Sequence, residues 1–116
     1  MTQSECQLIL FKPEGRIDLQ GGIALGKEMA IVQPQCNQLW VINLANVDFM
    51  DSCGLVPLVK CLKAARECGC RLVLCNVQTP VRLILELTQL DSVFEIFNTY
   101  EDILCGLSDG NVTIEN

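Results

Sequence analysis

The sequence predicts an α/β fold: a mixed, mainly parallel sheet of about five strands with an antiparallel first strand, and about four helices. Two observations predict it. Short, nearly continuous apolar runs alternate with longer segments whose apolar residues recur every three or four positions, and glycine or proline stands at most junctions. The chain has 116 residues, enough to bury one core and short for two. One domain is expected over residues 1–108, with 109–116 a polar tail that has little to bury.

Taken in order, residues 7–12 (QLILFK) are rich in strand formers, and Pro13-Glu14-Gly15 reads as a turn that returns residues 16–18 beside them, so a hairpin opens the fold. From 22 to 33, Leu25, Met29 and Val32 fall at helical spacing until Pro34 stops them, with Gly21-Gly22 a turn before the helix. Residues 38–44 (QLWVINL) are apolar almost throughout, as a central strand covered on both faces requires. The clearest helix follows: Leu55, Leu58, Val59, Leu62 and Ala65 lie on one side, Lys60, Lys63 and Glu67 on the other, and Gly69 ends it. Residues 71–75 (RLVLC) form another buried strand. Thr79-Pro80 then offers an N-cap and a proline at the first helical position, opening a third helix through Leu87. A last short strand is expected at 91–97 and a closing helix at 100–107.

Composition removes several function classes. No apolar run approaches the roughly 20 residues of a bilayer helix. No membrane association is expected. The start, MTQSECQLILF, shows neither a basic leader nor a small-residue cleavage site, which makes the cytoplasm the expected address. A net charge of −6, with no basic cluster, speaks against a nucleic-acid surface and leaves protein partners. Of eight cysteines, Cys6, Cys36, Cys61, Cys68, Cys70, Cys75 and Cys105 fall in apolar periodic segments, where they read as small buried hydrophobes. Without a histidine or a Cys-x-x-Cys pair, neither a metal site nor a cofactor is expected.

The candidate site is the stretch NVDFMDSCGLVPL, where Asp51, Ser52, Cys53 and Gly54 stand between a strand and a helix. Such loops, beyond the carboxyl ends of the strands, hold the working sites of open α/β sheets. A phosphate on the Ser52 hydroxyl would meet the positive end of a helix dipole. The alternative is that Ser52 is only an N-cap, with Asp51 a second capping candidate. Pro57, lacking an N–H, pushes the expected start of the helix to Gly54 or Leu55 and leaves 51–54 an exposed, irregular corner.

DFMDSCGL resembles the phosphoserine loop of STAS domains, the group that includes the bacterial anti-sigma factor antagonists. Gly15-Arg16-Ile17-Asp18 is similar to that family's Gly-x-Leu/Ile-Asp, and Asn76-Val77 through Tyr100-Glu101-Asp102-Ile103-Leu104 to its closing pattern. The resemblance implies a signalling switch and not an enzyme. In it, the bare serine form binds a serine kinase of the histidine-kinase-like ATPase type that also acts as an anti-sigma factor. Phosphorylation of Ser52 releases that partner, and a metal-dependent serine phosphatase resets the protein. Asp18, Asp51, Ser52, Cys53 and Gly54 would form the partner surface. The chain departs from the family at Cys53, where a second hydroxyl is common, and at Val56-Pro57.

Two other readings use the same residues. Cys53 at a helix N-terminus could serve as a nucleophilic or redox-sensing thiol, but the chain has no histidine to act as base and no arginine between residues 38 and 65. A constitutive interaction module, never phosphorylated, is the other. On the third helix Val81, Leu83, Ile84, Leu85 and Leu87 cover more than half the circumference, leaving room for a further contact face.

Overall fold

The structure, a computed structural model, describes residues 6–33, 35–106 and 112–115, with side chains assigned for 7–33 and 35–106. A five-stranded sheet runs in the order β6-β5-β3-β1-β7, built from β1 (Cys6–Phe11), β3 (Gln38–Asn43), β5 (Arg71–Cys75), β6 (Glu95–Phe97) and β7 (Val112–Glu115). Every pairing in it is parallel. A second sheet has two strands, β2 (Gly15–Ile17) and β4 (Val47–Met50), also parallel. The helices are α1 (Leu19–Val32), α2 (Ser52–Glu67), α3 (Thr79–Leu87) and α4 (Tyr100–Gly106). The α/β class and mainly parallel sheet are as expected, and no described helix is long and apolar enough to cross a membrane.

Alternation along the strands divides the core. Ile9, Phe11, Trp40, Ile42, Leu72 and Leu74 point to the face covered by α1, α2 and α3; Leu8, Leu39, Val41, Val73 and Cys75 point to the other, where Ile103 of α4 covers them. On the first face Phe11 and Trp40 meet with ring centroids 5.0 Å apart. The Trp40 indole N–H donates to Gln38 Oε1 at 2.8 Å, which satisfies the polar atom of a nearly buried ring.

Several expectations are corrected. The opening hairpin is absent: β1 lies between β3 and β7, parallel to both, and the antiparallel first strand does not form. The Pro13-Glu14-Gly15 turn is real in its chemistry but not in its direction. Gly15, at φ 85°, sends the chain out of the main sheet, and its N–H donates to Asn46 O at 2.8 Å, so the returning segment pairs with β4. Strand β4 was not expected, because only Val47 and Met50 are buried while Asp48 and Phe49 face outward. At 91–97 the chain makes a 3-10 turn, Leu90–Ser92, before the three-residue β6. Thr79 is the first helical residue of α3 and not its cap, that position being Gln78. The expected polar tail contributes β7 at 112–115.

Helix α1 begins at Leu19, three residues before the sequence suggests, because Asp18 is its cap and Gly21 and Gly22 lie in its first turn. On α3, Val81 and Leu85 are buried while Leu83 and Leu87 are exposed.

Burial divides the cysteines too. Cys70 and Cys75 are buried and Cys61 half-buried, as expected, but Cys36, Cys68 and Cys105 are exposed at helix ends and turns; the Cys6 side chain lies outside the described residues. Burial and the nearby Glu101 carboxylate push the Cys75 thiol up to about 11. At neutral pH it is protonated, and a thiol reacts through its thiolate. Peptide-resolved labelling with iodoacetamide should therefore modify Cys36, Cys53 and Cys68 in the native protein and reach Cys75 only in denaturant. Native labelling of Cys75 would contradict this packing.

Candidate functional site

The two-stranded sheet delivers both helices that frame the site. β2 ends at Ile17 and Asp18 caps α1; β4 ends at Met50 and Asp51 caps α2. Ile17 pairs with Met50 in parallel register, so Asp18 and Asp51 leave the two strands side by side. The two caps repeat one geometry. Asp18 Oδ1 accepts from the Gly21 N–H at 2.9 Å, and Asp51 Oδ1 accepts from the Gly54 N–H at 3.0 Å. Each carboxylate accepts from an N–H in the first turn of its helix and sits at the positive end of its dipole; the Gly54 N–H is shared with the Asp51 carbonyl at 3.1 Å.

These caps decide what Ser52 is not. It is the first helical residue, exposed, and among the described residues its hydroxyl takes no hydrogen bond. The capping role weighed for it belongs to Asp51. Replacing Asp51 by Ala should cost about 1 kcal/mol, seen as a Tm lower by about 4 °C, while Asp51→Asn, which keeps an acceptor, should lose less than half of that. Equal losses for both would mean the charge and not the cap stabilises the helix.

Helix α2 starts at Ser52 despite Pro57, and the expected irregular corner is regular helix. The proline ring is accommodated because α1 presents glycine opposite it: a Cβ at Gly22 would lie 2.9 Å from Pro57 Cγ and 2.9 Å from Gly54 O. The Cys53 carbonyl, which loses the N–H that residue 57 would have given it, belongs to an exposed residue where water can serve. Gly54, expected in an exposed corner, is buried. A Cβ there would fall 1.9 Å from Ile17 O, so only glycine lets α2 enter against the end of β2.

The structure thus brings Asp18, Asp51, Ser52, Cys53 and Gly54 together at the start of two adjacent helices, with Ser52 and Cys53 exposed and Gly54 beneath them. Two further residues share this surface and were not singled out from sequence. The Arg16 guanidinium lies 4.5 Å from the centroid of the Phe49 ring and its Nε is 4.0 Å from Asp18 Oδ2. Arg16 and Phe49 are register partners across β2 and β4, a pairing that the sequence could reveal only if β4 had been recognised. Arg16 is thus a cation beside a loop that the linear sequence shows as bare of arginine.

Comparison with known proteins agrees with this frame. The STAS domain family model matches residues 7–103. An anti-sigma F factor antagonist of Paenibacillus polymyxa is 28% identical over 85 residues, covering 73% of this chain and 72% of that one. Among solved structures, an anti-sigma factor antagonist from Mycobacterium paratuberculosis superposes with a TM-score of 0.69 at 27% identity, covering 87% of this chain and 86% of its own. The Bacillus cell fate determinant SpoIIAA in its phosphorylated form does so with a TM-score of 0.64 at 17% identity, covering 92% and 95%. With the strand-cap-helix pair at its centre and the family model spanning most of its length, this chain belongs to the STAS domain family.

Proposed function

We propose that this protein is a phosphorylation-switched signalling protein in which Ser52 is the phosphoacceptor. The unphosphorylated form docks a serine kinase of the anti-sigma type through Asp18, Asp51, Ser52 and Cys53, with the buried Gly54 setting the position of that surface from beneath; phosphorylation of Ser52 releases it, and a metal-dependent serine phosphatase restores the docking form. The kinase moves a phosphoryl group from its nucleotide onto Ser52 Oγ, with the hydroxyl proton leaving to a base on the kinase. The observation that carries this reading is the free, exposed hydroxyl of Ser52 beside a cap that Asp51 already supplies. A structural serine would be spent on the helix; this one is not.

The likeness to anti-sigma factor antagonists, one of them solved in a phosphorylated form, supports the same reading. Intact-mass and phosphopeptide analysis of protein recovered from its native cells tests it. A fraction carrying one phosphate at residue 52, which disappears in Ser52→Ala, is expected. Phosphate at another residue would reject Ser52 as the acceptor, and protein that stays unmodified under conditions that activate and silence the pathway would favour a constitutive interaction module.

A further inference from the structure

Away from the Ser52 surface, α1 and α2 diverge enough to leave a trough of about 260 Å³. At its upper end Gly22 and Pro57 hold the helices in close contact. Farther along, Gly26 on α1, across from Cys61, and Ala64 on α2 line the trough with side chains too small to fill it. Met29 and Trp40, each 2% exposed, lie at its bottom. The hydrogen bond from the indole N–H to Gln38 fixes the Trp40 ring, so what it offers the trough is apolar surface.

Two side chains define the chemistry. Cys61 lines the wall, and burial raises its thiol above the ordinary range, as expected of dry surroundings. Lys60 is the one charged residue of the lining, on a chain whose net charge is −6. Its stem can follow the apolar wall while the ammonium stays at the mouth. Apolar cavities of about 150 Å³ already take up a molecule the size of benzene, and ligand sites begin near about 300 Å³.

We infer that the trough between α1 and α2 binds a free n-alkyl carboxylate of medium chain length, with the alkyl chain over Trp40 and Met29 and the carboxylate at Lys60. An uncharged floor with a single cation at its rim selects for a long apolar body with one anionic end. Phosphate at Ser52 plays no part in this, and the unphosphorylated protein suffices to test it.

Trp40 is the only tryptophan in the chain, so its emission reads the trough directly. Titration with n-octanoate, below the concentration at which it self-associates, should shift Trp40 emission saturably, and n-octylammonium should bind at least tenfold more weakly. Lys60→Glu should reverse that order. Ala64→Leu, which fills the gap, should weaken both by at least tenfold. Independently of any variant, octanoate should slow alkylation of Cys61 by N-ethylmaleimide several-fold and leave Cys36 unchanged. A response that does not saturate, that ignores the head group, or that survives in Ala64→Leu overturns the inference. So does octanoate failing to bind while phosphatidylglycerol vesicles co-sediment the protein through Lys60, or a dimer that Ala64→Leu dissociates, since a membrane surface or a second copy would then be the occupant.

Discussion

Gly54→Ala should destabilise the protein by about 3 kcal/mol, lowering Tm by roughly 12 °C in a chain of this size. Helix propensity alone points the other way, since alanine is favoured over glycine inside a helix by about 1 kcal/mol. Geometry wins here. The added methyl would lie 1.9 Å from Ile17 O, 2.6 Å from Ile17 C and 3.0 Å from Asp18 O, all main-chain atoms that cannot rotate away. Relief requires the first turn of α2 to withdraw from β2. That withdrawal strains the cap from Asp51 to the Gly54 N–H and the 3.4 Å contact between the Asp51 N–H and Ile17 O, and it opens the seam at Gly22. Thermal and urea unfolding measure the effect, and Gly106→Ala is the control, because a Cβ at Gly106 has no heavy atom within 4 Å and should change stability by under about 0.5 kcal/mol. A Gly54→Ala protein as stable as the parent would mean that α2 does not enter against β2 as described.

The same seam explains what was legible in the sequence. Helix α2 and strands β3 and β5 were readable because each is a long enough run of one periodicity, and burial of Leu55, Leu58, Leu62 and Ala65 on one side of α2 follows that pattern. Strand β4 was hidden because four residues with only their ends buried match neither strict alternation nor a continuous apolar run. Missing β4 cost more than one strand. With no partner in view for residues 15–17, the turn at Pro13 could only suggest pairing with β1, and a local turn signal carries no information about a partner thirty residues away. Gly21 and Gly22 misled for a related reason. Two glycines in succession argue against helix on propensity, yet a Cβ at Gly21 would fall 2.3 Å from Arg16 O and one at Gly22 2.9 Å from Gly54 O, so both serve close packing inside α1.

The site itself was more legible than the fold around it. Asp51, Ser52, Cys53 and Gly54 are contiguous, and their junction position follows from local patterning alone. What sequence left open was the division of labour between Asp51 and Ser52, since either residue type caps helices well. Three-dimensional geometry separates them: the Asp51 carboxylate turns in to the Gly54 N–H, and the Ser52 hydroxyl is left to solvent. Arg16 and Phe49 were out of reach, because their proximity is a consequence of parallel register and not of spacing.

Ser52→Asp should weaken docking of the proposed kinase partner by about 100-fold, close to 3 kcal/mol, while leaving Tm within about 2 °C of the parent. Ser52→Ala should keep affinity within about threefold. Stability is nearly indifferent because opposing terms are of similar size. A negative charge at the first residue of α2 gains roughly 0.3–1 kcal/mol from the helix dipole, and repulsion from Asp51 and its register neighbour Asp18 removes about as much at an exposed site. At an interface those terms no longer cancel. Docking strips water from the surface, so the new charge and the two carboxylates are brought together under a partner whose complementary groups were matched to fewer charges, and like-charge juxtaposition there costs several kcal/mol. Arg16, already shared between the Phe49 ring and Asp18, is a cation on this surface that softens this. Adding Arg16→Ala to Ser52→Asp should therefore weaken docking further. Calorimetric titration of the partner with each variant measures all three effects, and equal affinity for Ser52→Ala and Ser52→Asp would remove charge at this serine as the switch.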